Sequence, residues 1–160
     1  MIKPSDVRYI VVHCSATKHS ATHVDAKTID RWHRDRGWSG LGYHAVITRD
    51  GQTQLGRRIT ADSVRIGAHV SGHNAHSVGV CLAGGLDERG NSTEGAEHYD
   101  PRQLDALRDL LKTWTGLFPN AEVLGHRDLS PDRNRDGAIT RDEWLKTCPC
   151  FDARRWWASQ

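Results

Sequence analysis

The sequence predicts a single α/β domain, and three observations lead there. Its 160 residues fall within the span of about 100–200 residues typical of one domain. Short β-branched runs alternate with segments of helical periodicity, and no internal repeat or linker divides them. A composition of 37% hydrophobic and 26% charged residues is enough to bury a real core and excludes both a disordered tail and a coiled coil.

Taken in order, Arg8 to Cys14 is rich in β-branched residues and reads as a buried strand whose end, at His13, points into whatever site exists. Ile29, Trp32, His33 and Arg36 fall at i, i+3, i+4 and i+7 after a start near Asp25, a short amphipathic helix that Gly37 stops. Tyr43 to Thr48 and Gln52 to Leu55 form a hairpin turning at Asp50-Gly51. Ser77 to Leu82 is a second buried strand, closed by Gly84-Gly85. Asp100 as N-cap and Pro101 at the first helical position open the clearest helix, with Leu104, Leu107, Leu110, Leu111, Trp114 and Leu117 as its apolar stripe. Glu122 to Leu124 is a short strand leading to Gly125-His126, and Asp152 caps a last helix ending in Trp156-Trp157.

Composition excludes several classes of function. The apolar run Tyr9 to Val12 is far short of a signal-peptide core or of the roughly 20 residues that cross a bilayer, so no membrane partner is expected and the chain is expected to stay in the cytosol where it is made. A net charge of +2 without a Lys/Arg block gives no reason to expect nucleic-acid binding. The four cysteines Cys14, Cys81, Cys148 and Cys150 are too few and too unevenly spaced for a disulfide framework, which leaves buried, catalytic or metal-bound thiols.

Two constellations carry chemistry. His13 and His126 stand at strand ends and Cys148 precedes Pro149. Two imidazoles and a thiolate suffice for a catalytic zinc that leaves its fourth position to water. Read from residue types alone, this trio competes with ordinary polar core histidines and a buried thiol. Cys150, two residues from Cys148, could equally reach a metal.

The second constellation runs from Asp132 to Glu143, DRNRDGAITRDE, and fits the calcium-loop pattern D-x-[DN]-x-[DN]-G-x5-E at every constrained position. Asp132, Asn134 and Asp136 fill positions 1, 3 and 5, the Ala138 carbonyl position 7, Thr140 position 9 and Glu143 the bidentate position 12, while Gly137 permits the sharp turn. Arg133, Arg135 and Arg141 offset the carboxylate charge, and Pro131 keeps a regular helix from entering the loop, so weak binding is expected, with a Kd on the order of 10⁻⁵ to 10⁻³ M.

A resemblance joins these pieces. The stretches Val12 to Thr17, Trp32-His33 through Gly37-Trp38, Gly42-Tyr43-His44, Arg49-Asp50-Gly51, Gly67-Ala68-His69, Asn74 through Leu82, Gly84-Gly85, Cys148-Pro149, Phe151-Asp152 and Arg155-Trp156-Trp157 resemble, in order, the zinc N-acetylmuramoyl-L-alanine amidases of the phage lysozyme type. That family shares its fold with peptidoglycan recognition proteins. The likeness covers residues 8–157 and implies a central mixed β-sheet flanked by helices, with zinc in a groove on one side. It implies His13, His126 and Cys148 as zinc ligands and Tyr43 and Lys146 as catalytic residues that hydrogen-bond the oxyanion of a tetrahedral intermediate. Either Tyr43 or Lys146 would deliver the proton to the leaving amine. His33, His44 and His69 lie in family-like motifs as residues behind the ligands or along the groove, and Asn74 either lines the groove or serves a turn. The chain departs from short relatives between His126 and Cys148, where the calcium-type segment is inserted.

The expectation is therefore a monomeric endolysin of one domain, residues 1–160 with the inserted loop at 132–143, that binds one Zn2+ and one Ca2+. It would cut the amide between N-acetylmuramic acid and L-alanine in peptidoglycan, reaching the wall from the host cytoplasm after a separate membrane lesion. The alternatives are a catalytically silent peptidoglycan-binding module and a regulator that binds phage RNA polymerase, both carried by the resemblance.

Overall fold

A computed structural model describes residues 1–160. Tyr9–Cys14 forms β1, Thr17–Lys18 β2, Ala26–Asp35 α1, Ala45–Ile47 β3, Thr53–Leu55 β4, Ser77–Leu82 β5, Gly85–Leu86 β6, Pro101–Leu117 α2, Glu122–Gly125 β7 and Ala153–Ala158 α3. Five strands make one mixed sheet in the order β4-β3-β5-β1-β7, antiparallel only where the β3–β4 hairpin closes the edge. β1 and β5 lie inside this sheet and are buried along nearly their whole length, as their unbroken apolar runs require.

Alternation along the strands sorts the core into two faces. Ile10, Val12, Cys14, Val78, Val80 and Leu82 pack with Leu107, Leu111 and Trp114 of α2 and with Phe151 and Ala153 near α3. On the other side Val46 and Cys81 meet Val24 and Ile29 at α1. The result is a single domain with a central mixed sheet between helical layers.

Both long helices begin on the expected caps. Asp25 accepts from the Thr28 amide at 2.8 Å, and Asp100 accepts from the Arg102 amide at 2.9 Å. Asp100 is held down to about 2, first by the Arg102 side chain and then by that amide. The hairpin turn at Gly51 needs glycine twice over: its φ is +87°, and a Cβ there would stand 2.7 Å from the Arg102 backbone. Two features lie outside the sequence reading. β2 and β6 pair as a small parallel ribbon beyond the ends of β1 and β5, each too short to carry a period. Gln103, on α2, is fully buried because its Nε2 donates to the Ala83 carbonyl at 2.9 Å while its Oε1 accepts from Arg49.

Candidate active site

The parallel register of β1 with β7 sets Val12 opposite Gly125, so the next residue of each chain segment, His13 and His126, emerges from adjacent strand ends. Their ring centroids lie 4.7 Å apart. Cys148 arrives from the segment before α3 and is pinned twice. The Arg127 amide donates to its carbonyl at 2.9 Å and the Cys14 amide donates to its Sγ at 3.2 Å. Sγ then stands 3.8 Å from His13 Nδ1, and the ligand atoms of His13, His126 and Cys148 all lie within 4.8 Å of one another. Tetrahedral zinc with ordinary bond lengths wants its nitrogen and sulfur ligands about 3.5 Å apart, so this donor set fits zinc in both chemistry and spacing. Cys150 does not join the group: its Sγ lies 3.9 Å from Cys14 Sγ and 3.8 Å from Thr147 Oγ1.

Electrostatics keeps the imidazoles neutral, the form in which they ligate metals. Burial holds His13 well below its ordinary range, with His69, His126, Lys146 and His44 adding like charge. Burial and then Lys146 bring His126 down to about 4. The trio opens into a groove of about 200 Å³ whose walls include Tyr43, Lys146, Trp32, Arg36 and Trp38. The Tyr43 ring sits 5.1 Å from that of His13. Burial, with Cys81, Cys148 and Cys14 nearby, pushes its phenol well above the usual range, so it remains a proton-bearing donor. Lys146 is exposed on the rim. Trp32 and Arg36 come from the same α1 stripe that buries Ile29 and His33; the helical period was readable, but not that half of the stripe faces a groove.

The remaining histidines take different places. His69 touches His13 directly, Nδ1 to Nε2 at 2.9 Å. His33 lines the groove and accepts from the Gly42 amide at Nδ1. His44 stands behind His69, its Nδ1 accepting from Gly79 and its Nε2 donating to the Arg65 carbonyl. Asn74 takes the turn alternative: its Oδ1 accepts from the amides of His69 and Val70, both at 2.9 Å, and it does not line the groove.

In the segment 132–143 the carboxylates turn to the loop's own backbone. Asp132 accepts from the amides of Arg135 and Gly137, Asp136 from Ala138, and buried Glu143 from Arg133, Asn134 and Thr140. Asp132, Asp136 and Glu143 do not form a close-set trio like the one around His13.

Comparison with known proteins gives the family and the fold. Residues 3–149 match the N-acetylmuramoyl-L-alanine amidase family. The chain is 39% identical over 155 residues to an endolysin of Klebsiella phage KP32, covering 97% of this chain and 88% of the relative. It is 38% identical over 148 residues to the endolysin of Escherichia phage T7, covering 92% and 83%. Among solved structures, the endolysin amidase LysCS from Clostridium intestinale superposes with a TM-score of 0.69 at 23% identity, covering 98% of this chain and 84% of that one. At that identity the likeness speaks for the fold alone.

Proposed function

The chain belongs to the N-acetylmuramoyl-L-alanine amidase family, and we propose that it is a zinc-dependent endolysin that hydrolyses the amide between N-acetylmuramic acid and L-alanine in peptidoglycan. The observation that carries this reading is the convergence of His13, His126 and Cys148 at the floor of a groove walled by Tyr43 and Lys146. Zinc held by those three side chains supplies Lewis-acid polarisation of the scissile carbonyl and a water acidified towards a pKa of about 7. The chain's own residues do the rest. Tyr43, kept protonated by burial, donates a hydrogen bond to the developing oxyanion, and the ammonium of Lys146 adds positive charge at the same wall. Proton delivery to the leaving amine falls to Lys146 or Tyr43. Trp32 and Trp38 offer flat apolar surface to a sugar ring.

No helix is long and apolar enough to cross a membrane, which suits an enzyme that meets the wall only after a separate lesion in the host membrane. Mass spectrometry of digested peptidoglycan tests the reaction. New L-alanine amino termini without new reducing sugar ends are expected, whereas reducing ends without free termini overturn the amidase reading. Binding to peptidoglycan with no product would make the chain a silent wall-binding module. A pull-down with the cognate phage RNA polymerase tests the regulatory partnership that the resemblance implies.

The reading extends to calcium at residues 132–143. It is supported by the match of the sequence to the calcium-loop pattern at every constrained position. Calorimetric titration with calcium alone tests it.

A further inference from the structure

We propose that His69 is a positioning residue that fixes the tautomer of His13 through a one-way hydrogen-bond chain ending on the backbone carbonyl of His73; as far as it concerns the metal, this rests on the zinc reading above. The direction of the chain follows from its far end. Ser77 Oγ lies 2.8 Å from the His73 carbonyl oxygen, which can only accept, so the hydroxyl proton is committed there. Ser77 Oγ must then accept from His69 Nε2, 3.3 Å away. A neutral ring carries one N–H, so His69 Nδ1 is left bare and accepts from His13 Nε2 at 2.9 Å. His13 Nδ1 is thereby left with a free lone pair, and it is this nitrogen that faces Cys148 Sγ. One backbone carbonyl, three hydrogen bonds away, thus decides which nitrogen of His13 is offered to a metal.

The fold is shaped to hold the relay. Gly67 and Gly79 flank the His69 ring so closely that a Cβ on Gly67 would stand 2.4 Å from its Cδ2 and one on Gly79 2.5 Å from its Nδ1. Asn74 grips the His69 amide, and the His13 and His69 rings meet edge to face at 87°. His13 is 1%, Ser77 0% and His69 9% exposed, so bulk water has little access with which to replace a missing partner. Orienting partners of this kind commonly contribute about 10–100-fold to metal affinity.

The test reads the tautomer and the metal separately. In ¹⁵N spectra of the imidazoles of metal-free wild type, His13 is expected as the Nε2–H form. His69→Phe keeps a ring in the slot but removes the acceptor: His13 is expected to become a tautomer mixture, and zinc affinity, measured by competition with a chromogenic chelator, to fall about 10–100-fold. His69→Asn returns an acceptor near the Nδ1 position and is expected to restore most of that loss. A wild-type His13 in the Nδ1–H form overturns the proposal. So does a folded His69→Phe protein with unchanged zinc affinity, or a His69→Asn protein no better than His69→Phe. Should His69→Phe fail to fold, the wild-type spectrum and His69→Asn still decide. Should wild type take up no zinc, the zinc reading fails while the spectra continue to judge the relay.

Discussion

His44 makes the acid sensitivity of this fold calculable. Both ring nitrogens are used: Nδ1 accepts from the Gly79 amide at 3.0 Å and Nε2 donates to the Arg65 carbonyl at 2.7 Å. Protonating Nδ1 sets one N–H against another in a site that is 1% exposed. Burial accordingly lowers the ring from its ordinary 6.5 to about 4, the Arg65 carbonyl opposing and Arg57 adding to the fall. The unfolded ring binds its proton more tightly than the folded one, so between pH about 6.5 and about 4 the unfolded state holds more protons. Stability is therefore full above about pH 6.5, falls as the pH is lowered, and has lost this contribution completely below about pH 4. That difference in proton affinity between the folded and unfolded ring corresponds to about 3 kcal/mol. The assay is urea denaturation of chelator-treated protein from pH 7.5 to 4, comparing wild type with His44→Gln. The variant is expected to be less stable at pH 7, through loss of two buried hydrogen bonds, yet to lose about 3 kcal/mol less on acidification. Parallel stability curves for the two proteins would refute the reasoning.

Other outcomes follow from the site. Cys148→Ser is expected to lose zinc on dialysis and to abolish lysis, whereas Cys150→Ser retains both, as atomic absorption and turbidity assays will read. Tyr43→Phe and Lys146→Met are each expected to lower kcat about 100- to 1000-fold with zinc retained, the range for removal of one oxyanion donor, and their pH–rate profiles identify the proton donor. Asp132→Ala combined with Glu143→Ala is expected to remove calcium binding in calorimetry, and full lytic rate in calcium-free buffer would reduce the loop to a structural element.

Much of the fold was legible because it rests on periodic signals. The run ending at His13, the caps at Asp25 and Asp100 and the stripe Leu107, Leu111, Trp114 all stand where pattern and cap chemistry place them. Gln103 was not legible. It lies beside that stripe as a polar residue, and besides the Asp100 amide at its own helix start, partners distant in sequence, Arg49 and the carbonyls of Ala83 and Ile47, make its burial tolerable. The site divides in the same way. His13 and His126 could be read as strand-end residues, and Cys148 as a third donor. The pairing of His69 with His13 spans 56 residues and joins β1 to the connection between β4 and β5, a meeting that no local pattern records. Gly67 and Gly79 read as ordinary loop and strand glycines until the ring between them is seen.

Segment 132–143 is joined to the candidate active site in a way that limits what it can control. Its neck is closed by the Leu145 amide donating to Ser130 Oγ at 3.0 Å, and Trp144 lies against the guanidinium of buried Arg127, Cζ 4.0 Å from the ring centroid. Arg127 is in turn fixed by Glu94 at 3.0 Å, and its amide holds the Cys148 carbonyl. The spacing of His126 and Cys148 therefore rests on contacts outside residues 132–143. Lys146 has no such tether: it is exposed, three residues beyond Glu143, the carboxylate that closes the loop on itself. Ordering the loop thus bears on Lys146, the proposed oxyanion donor, more than on the proposed zinc ligands. Disrupting the loop should lower turnover while leaving zinc content intact, and parallel loss of zinc and rate on disrupting it would place the coupling at Cys148 instead.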